Sequence, residues 1–358
     1  MASEKPHVSC MKTTFNQNVI DHCPSLQKFK PVFWAQSGEA QTFLQKLLPI
    51  KGNRYAREMF AFSDGVETSL DWKYPKNILS APIIVCLHGL GGDSSSNYMQ
   101  LFTNLCQKSG YTTVVYNRRG HGDGSLLPKT GKIVDASCVF PRHVNMSDMI
   151  EVVDHICKKR PSPKKYLVGF SCGGNLAINY LAHVGDASPF VSAVSVCNGF
   201  NIFLGTHQLK QERKYFSKIA TNFLKDLLTK KRLVEIQILA KEKNINVELK
   251  KAMAATSVPE FESYFVGSYG TTLESLYLDD SSHDKLNLIK NPLLCLQNNS
   301  DPFIPSSMNH YPSIWGLCNP NIFYVETKAG GHLGWIDSYF GTPWYMRLIL
   351  EYFSVKTE

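Results

Sequence analysis

What the sequence leaves out narrows the possibilities first. No run of about eighteen apolar residues occurs in the 358, so no helix is expected to span a bilayer. Residues 1–30 are polar and mixed, without the apolar centre of a secretory signal. The ten cysteines form no Cys-x-x-Cys pair and no zinc spacing. Several of them (Cys86, Cys157, Cys295) sit in apolar runs and read as buried thiols, so the expected compartment is the reducing cytoplasm. No Lys/Arg block exceeds three residues and no aromatics interleave with basic residues, which argues against nucleic-acid binding despite a net charge of +8. That mild positive charge suits an anionic membrane surface or an acidic substrate, and solubility accounts for it equally well. There is no internal repeat and no low-complexity linker.

What is present alternates between two periods. Residues 55–62 and 68–72 flank Ser63-Asp64-Gly65, which reads as a hairpin and the antiparallel start of a sheet. Ile83 to Leu87 and Thr112 to Tyr116 are continuous apolar runs, as strands buried on both faces require. Tyr98, Leu101, Phe102, Leu105 and Cys106 follow the first at helical spacing. Met146, Met149, Ile150, Val153, Ile156 and Cys157 make a second amphipathic helix, capped by Asn145 and stopped by Pro161. Further strands are expected at residues 166–168, 190–197, 292–297 and 322–326, and a last helix at about 342–353. Strands alternating with helices imply a parallel doubly wound sheet. Residues 203–286 break this rhythm. Lys-rich helical stretches (215–233, 247–255) and the aromatics Phe261, Tyr264, Phe265 and Tyr269 read as a helical cap, or as one more set of packing helices. Residues 1–30 show no clear period and are expected to be loosely ordered, with a short helical segment at 43–49.

Chemistry enters at Gly169-Phe170-Ser171-Cys172-Gly173, a G-x-S-x-G between a β-prone run and a helical pattern. A strand turning sharply into a helix at a serine is the nucleophile elbow of α/β-hydrolases. Glycines two residues either side relieve a turn too tight for side chains. Serine needs a base, and the base needs an orienting acid. The family order is Ser, then acid, then His. Asp301 follows the strand at 292–297, in a turn bounded by prolines, and His332 follows the last strand in Gly330-Gly331-His332-Leu333-Gly334. Glycines beside His332 are expected to let its loop approach the elbow. Backbone N–H groups of Leu90, in His88-Gly89-Leu90-Gly91-Gly92, and of Cys172 are the candidate oxyanion donors. His88 is expected to brace that turn. The Cys172 side chain is expected to point away, into helix packing. His88 and Asp93 also fit an H-x4-D acyltransferase pattern.

The chain resembles the abhydrolase-domain serine esterase group, which includes bacterial YheT-like esterases, yeast medium-chain acyl-ester synthase/esterases and animal abhydrolase-domain phospholipases. The resemblance covers about residues 55–353. It rests on Arg57-Glu58, Asp64-Gly65, Leu70-Asp71-Trp72, His88-Gly89-Leu90-Gly91-Gly92, Asn117-Arg118-Arg119-Gly120, Gly169 to Asn175, Asn198-Gly199-Phe200-Asn201, Tyr277, Asp301-Pro302-Phe303 and Gly330 to Gly334. It implies Ser171, Asp301 and His332 as the triad. Many animal members begin with a membrane-anchor helix, and no counterpart is expected here; the Lys-rich segment 210–251 matches poorly.

The expected fold is therefore an α/β-hydrolase: a mostly parallel doubly wound sheet with an inserted helical cap. The expected division is an N-terminal extension (1–54), a core in two parts (55–202 and 287–358) and the cap (203–286). The expected activity is hydrolysis of short- to medium-chain acyl esters, such as acylglycerols or phospholipids, with no metal or organic cofactor. Peripheral membrane contact and a monomeric or homodimeric state are the expected associations. Two rivals are an acyltransferase using the same acyl-enzyme and a non-catalytic binding protein on the same fold. The aromatic cap suggests an apolar acyl pocket.

Overall fold

The computed structural model describes residues 4–50, 54–129, 140–338 and 341–356. Its frame is one nine-stranded sheet. In chain order the strands are β1 (His7–Cys10), β2 (Ala56–Ala61), β3 (Glu67–Lys73), β4 (Ile83–Leu87), β5 (Thr112–Asn117), β6 (Lys165–Phe170), β7 (Phe190–Val196), β8 (Leu293–Asn298) and β9 (Ile322–Thr327). The spatial order is β1-β9-β8-β7-β6-β4-β5-β3-β2. The six from β5 to β9 across β4 are mutually parallel. The β2–β3 hairpin and β1 close the two edges antiparallel.

The apolar runs become the strands for the expected reason. Every residue of β4, β5, β6 and β8 is buried, because helices cover both faces. One face packs under Met99, Phe102 and the C-terminal helix Trp344–Ser354; the other packs under Met149, Val153, Ile156 and Leu176. Asn145 caps the helix Met146–Lys159 by accepting from the Asp148 N–H, as its position predicts.

The structure differs from expectation at four places. Residues 4–30 are ordered: β1 pairs with β9, the helix Thr14–His22 follows, and Val19, Leu26 and Phe29 are buried. Residues 1–3 of that stretch lie outside the described ones. The short helical segment expected at 43–49 is instead Gly38–Gln45, started by Ser37. The Lys-rich stretch 215–233 is two helices, Lys214–Lys225 and Lys230–Glu242, the second capped by Thr229. Cys86 and Cys295 are buried thiols, whereas Cys157 is only half-buried.

Between β7 and β8 the chain runs through Ile202–Glu212, Lys214–Lys225, Lys230–Glu242, Leu249–Ala254, Val258–Ser263 and Leu273–Asp280. These helices have their own apolar centre, including Phe216, Leu224, Ile236, Leu239, Phe261 and Phe265. Phe261 and Phe265 pack on Phe140 with ring centroids 5.3 and 4.7 Å apart. The aromatic run therefore holds the helices together and does not form the wall of an acyl pocket. Among the described residues no helix is long and apolar enough to cross a membrane.

Candidate active site

The parallel strands all deliver their carboxyl ends to one edge, where open α/β sheets bind ligands. β6 ends at Ser171, whose backbone sits at φ 55°, ψ −122°. That is costly for a residue with a Cβ and persists because the surroundings dictate it. A Cβ on Gly169 would meet the Gly173 carbonyl oxygen at 2.2 Å, and one on Gly173 would meet the Leu87 carbonyl oxygen at 2.3 Å. Only glycine fits at these two positions, so the elbow motif has a steric explanation in this chain.

Asp301 and His332 come together as the spacing predicts. His332 Nδ1 lies 2.8 Å from Asp301 Oδ2. The other carboxylate oxygen, Oδ1, accepts from the backbone N–H groups of Phe303 (2.8 Å) and Ile304 (3.0 Å). Asp301 is thus locked in its turn and is 4% exposed. His332 and Ser171 both line one cavity of about 500 Å³, with Asp301 behind the imidazole. Phe303 packs edge-on to the imidazole at 5.1 Å. Cys197 lies beside the pair: its sulfur and the Asp301 and His332 ligand atoms are within 4.8 Å of one another. Burial, with Asp301 adding to it, holds its thiol well above the ordinary value, so it stays neutral beside the pair.

The glycines beside His332 have a different role from the expected one. Gly331 has φ 64°, and a Cβ there would lie 2.2 Å from the Gly38 carbonyl oxygen. The close approach is to the helix Gly38–Gln45 rather than to the elbow. Thr42 on that helix accepts the His332 backbone N–H at 2.8 Å and lines the cavity. Thr42 carries no signal of its own in the sequence; the local sign that a helix begins there is the Ser37 cap.

The turn after β4 is pinned from several sides. His88 is fully buried; Nδ1 contacts the Gly89 carbonyl at 2.9 Å and Nε2 accepts the Arg118 N–H at 3.1 Å. Desolvation holds His88 well below its ordinary value, so it stays neutral. It braces the turn, and both nitrogens are already engaged, so it is not free to serve in an H-x4-D acyltransferase. Gly89 N–H is bonded to the Tyr98 hydroxyl at 2.8 Å, while Leu90 lines the cavity. Gly91, at φ 64°, lets the turn pass under Phe223, whose carbonyl oxygen would be 2.3 Å from an added Cβ. The apolar wall is Leu90, Ile202, Leu209, Phe223, Val258 and Phe303.

Cys172 departs from expectation. Its backbone opens the helix Cys172–Val184, but its sulfur does not point into helix packing. It lies 3.4 Å from His143 Nδ1 and 3.6 Å from Arg118 Nη1, and the residue lines the cavity.

The remaining motif residues form a polar network behind the site. Buried Asp71 takes Arg57 at 2.7 Å, together with Ser94 and Asn117, and Arg119 joins Asp64 and Asp148 at 2.7 Å. These contacts tie the hairpin to the β5 turn.

Comparison with known proteins agrees with this fold. The model of the alpha/beta hydrolase fold family matches residues 82–339. Human phospholipase ABHD3 is 29% identical over 348 residues, covering 94% of this chain and 80% of that protein. Human monoacylglycerol lipase ABHD2 is 26% identical over 357 residues, covering 93% and 81%. A Pyrococcus furiosus esterase superposes with TM-score 0.53 at 17% identity, over 85% of this chain and 95% of its own. At that identity the likeness is one of fold.

Proposed function

The chain belongs to the α/β-hydrolase family, and from that premise we propose that it is a serine carboxyl-ester hydrolase of the lipase and phospholipase kind. The observation that carries the reading is the Asp301–His332 pair beside a cavity that also holds the strained Ser171. His332 takes the Ser171 proton as the hydroxyl attacks the ester carbonyl. The N–H groups of Leu90 and Cys172 receive the oxyanion. Asp301 holds the imidazole tautomer and stabilises the imidazolium. His332 then protonates the departing alcohol, and water releases the acyl group. The wall from Leu90 to Phe303 supports an apolar acyl chain of short to medium length. The helices of 203–286 act as the cap over that chain.

The substrate surface is a membrane approached from outside. Phe33, Trp34, Phe43, Leu47 and Tyr215 are exposed apolar side chains, and Phe43 and Leu47 flank Gln45 and Lys46 at the cavity wall. All nine described cysteines are free, which suits a reducing compartment and the cytoplasmic face.

Hydrolysis of p-nitrophenyl esters from acetate to palmitate tests the reading. Wild type should turn over with a chain-length optimum, and Ser171→Ala should not. A Ser171→Ala protein with full activity would remove Ser171 from the chemistry and the reading with it.

A further inference from the structure

A second line of nucleophile, imidazole and carboxylate enters the same cavity, and ester hydrolysis does not use it. Cys172 Sγ is 3.4 Å from His143 Nδ1, and His143 Nε2 is 2.9 Å from Glu262 Oε1. Glu262 in turn accepts from the Tyr277 hydroxyl. Arg118 Nη1 lies 3.6 Å from the sulfur and donates to the His143 carbonyl at 3.0 Å. The His143 carbonyl is also 4.0 Å from Sγ. These residues come from five separate places: the elbow, the β5 turn, the approach to the helix Met146–Lys159, the helix Val258–Ser263 and the helix Leu273–Asp280. Such convergence is how sites are built, and both His143 and Cys172 line the cavity.

We propose that Cys172 is a second nucleophilic centre, positioned by His143, Glu262 and Arg118 to add to an α,β-unsaturated carbonyl compound that carries a hydrocarbon chain. The charges fit. Arg142 pairs with Asp280 at 2.8 Å, and Asp280 also faces His143. With Cys172 as thiolate, Arg118, Arg142 and His143⁺ balance Glu262, Asp280 and Cys172. Burial alone would push the Cys172 thiol up, but Arg118 and His143 outweigh it and bring it below the ordinary value. Burial would likewise push His143 down, but Glu262 and then Cys172 hold it well above its ordinary value.

The ligand class follows from the walls and from one unmatched atom. A thiolate is soft and prefers a soft carbon, and the apolar wall accepts an alkyl chain. Asn175 lies one helical turn beyond Cys172, is 2% exposed and lines the cavity, and its Oδ1 has no hydrogen-bond partner among the described residues. A buried acceptor left unpaired is costly, so a ligand bearing a hydroxyl donor is favoured. In the reaction a bond forms between Sγ and the β-carbon. The C=C π pair moves onto the carbonyl as an enolate, and the α-carbon takes the proton of the His143 imidazolium. Nothing leaves, and His143 ends neutral. The adduct then stands beside Ser171 and blocks its cavity, so ester hydrolysis stops.

The test uses the full chain with 4-hydroxy-2-nonenal, and peptide mass mapping reads the adduct, so the serine chemistry is not needed for detection. At neutral pH Cys172 should react at least about tenfold faster than exposed Cys318, because an ordinary thiol is only a few per cent ionised there. The Cys172 rate should already be level below the ordinary thiol range. Ser171→Ala should form the adduct as wild type does, and His143→Gln should lose the advantage. Equal rates at Cys172 and Cys318 in folded wild type would overturn the proposal. A Cys172 rate still climbing through pH of about 8.5 would do the same, without any variant having to fold.

Discussion

At the residue scale, Asp301 separates position from charge. Its Oδ1 is occupied by the Phe303 and Ile304 N–H groups, and only Oδ2 reaches His332. Asp301→Asn keeps one carbonyl oxygen for the turn and presents an amide to the imidazole. The amide cannot stabilise an imidazolium, and it favours the wrong tautomer. We expect kcat to fall by about 10⁴-fold with KM and melting temperature little changed. Steady-state kinetics beside a thermal melt checks this; a fall in melting temperature to match the activity loss would mean that Asp301 serves the fold instead. The placement of Asp301 beside His332 was legible in advance because its identity, chain order and strand-end position all agreed. The side-chain direction of Cys172 was not. Which way a sulfur faces at a helix start depends on His143 and Arg118, which lie 29 and 54 residues away.

At the scale of elements, the hairpin is held to the sheet by a buried carboxylate. Burial would raise the Asp71 carboxyl, but Arg57, Ser94 and Asn117 outweigh it and lower it from 3.8. A lowered folded-state value means stability that is fully present above the unfolded value and lost as pH falls through the folded one. Acid unfolding of wild type should therefore steepen below pH of about 4, and Asp71→Asn should be less stable at neutral pH with a shallower acid limb. Chemical denaturation at a series of pH values measures both, and parallel curves for the two proteins would exclude the network from the acid transition. The strands themselves were legible because burial on both faces leaves unbroken apolar runs such as Ile83 to Leu87. The N-terminal elements were not. The helix Thr14–His22 buries only Asn16 and Val19 along its length, which leaves almost no apolar stripe to read. It is too short to be stable alone and depends on distant contacts, among them Asn16 to the Pro320 carbonyl. The aromatics of residues 261–269 misled for a related reason. Their period announces a buried face, but the partner, Phe140, comes from another part of the chain.

At the scale of the molecule, the remaining question is how a lipid would reach a cavity whose wall includes Gln45 and Lys46. The loop bearing Phe33 and Trp34 and the helix Gly38–Gln45 share a small apolar centre of Ala35, Leu44, Leu48 and Ile336. Their outward residues are therefore presented on a packed base: Phe33 is 82% exposed and Leu47 71%, while Tyr215, on the helix Lys214–Lys225, is 67% exposed. Side chains of this kind insert at the headgroup boundary, while basic residues draw the protein to anionic lipid. On the proposed membrane approach, the net charge of +8 would favour the encounter and the apolar side chains would favour retention. Replacing Phe33 and Leu47 together by serine should lower partitioning onto phosphatidylserine-containing vesicles by about tenfold or more, since burying each side chain contributes on the order of 1.5–3 kcal/mol. Turnover of a soluble short-chain ester should not change, because neither residue lines the cavity. Salt should weaken the encounter in both proteins alike, through screening. Vesicle co-sedimentation alongside a soluble-ester assay separates these effects. If the double variant sediments with vesicles as wild type does, the lipid is approached by another face, such as the Lys-rich helices of 210–251.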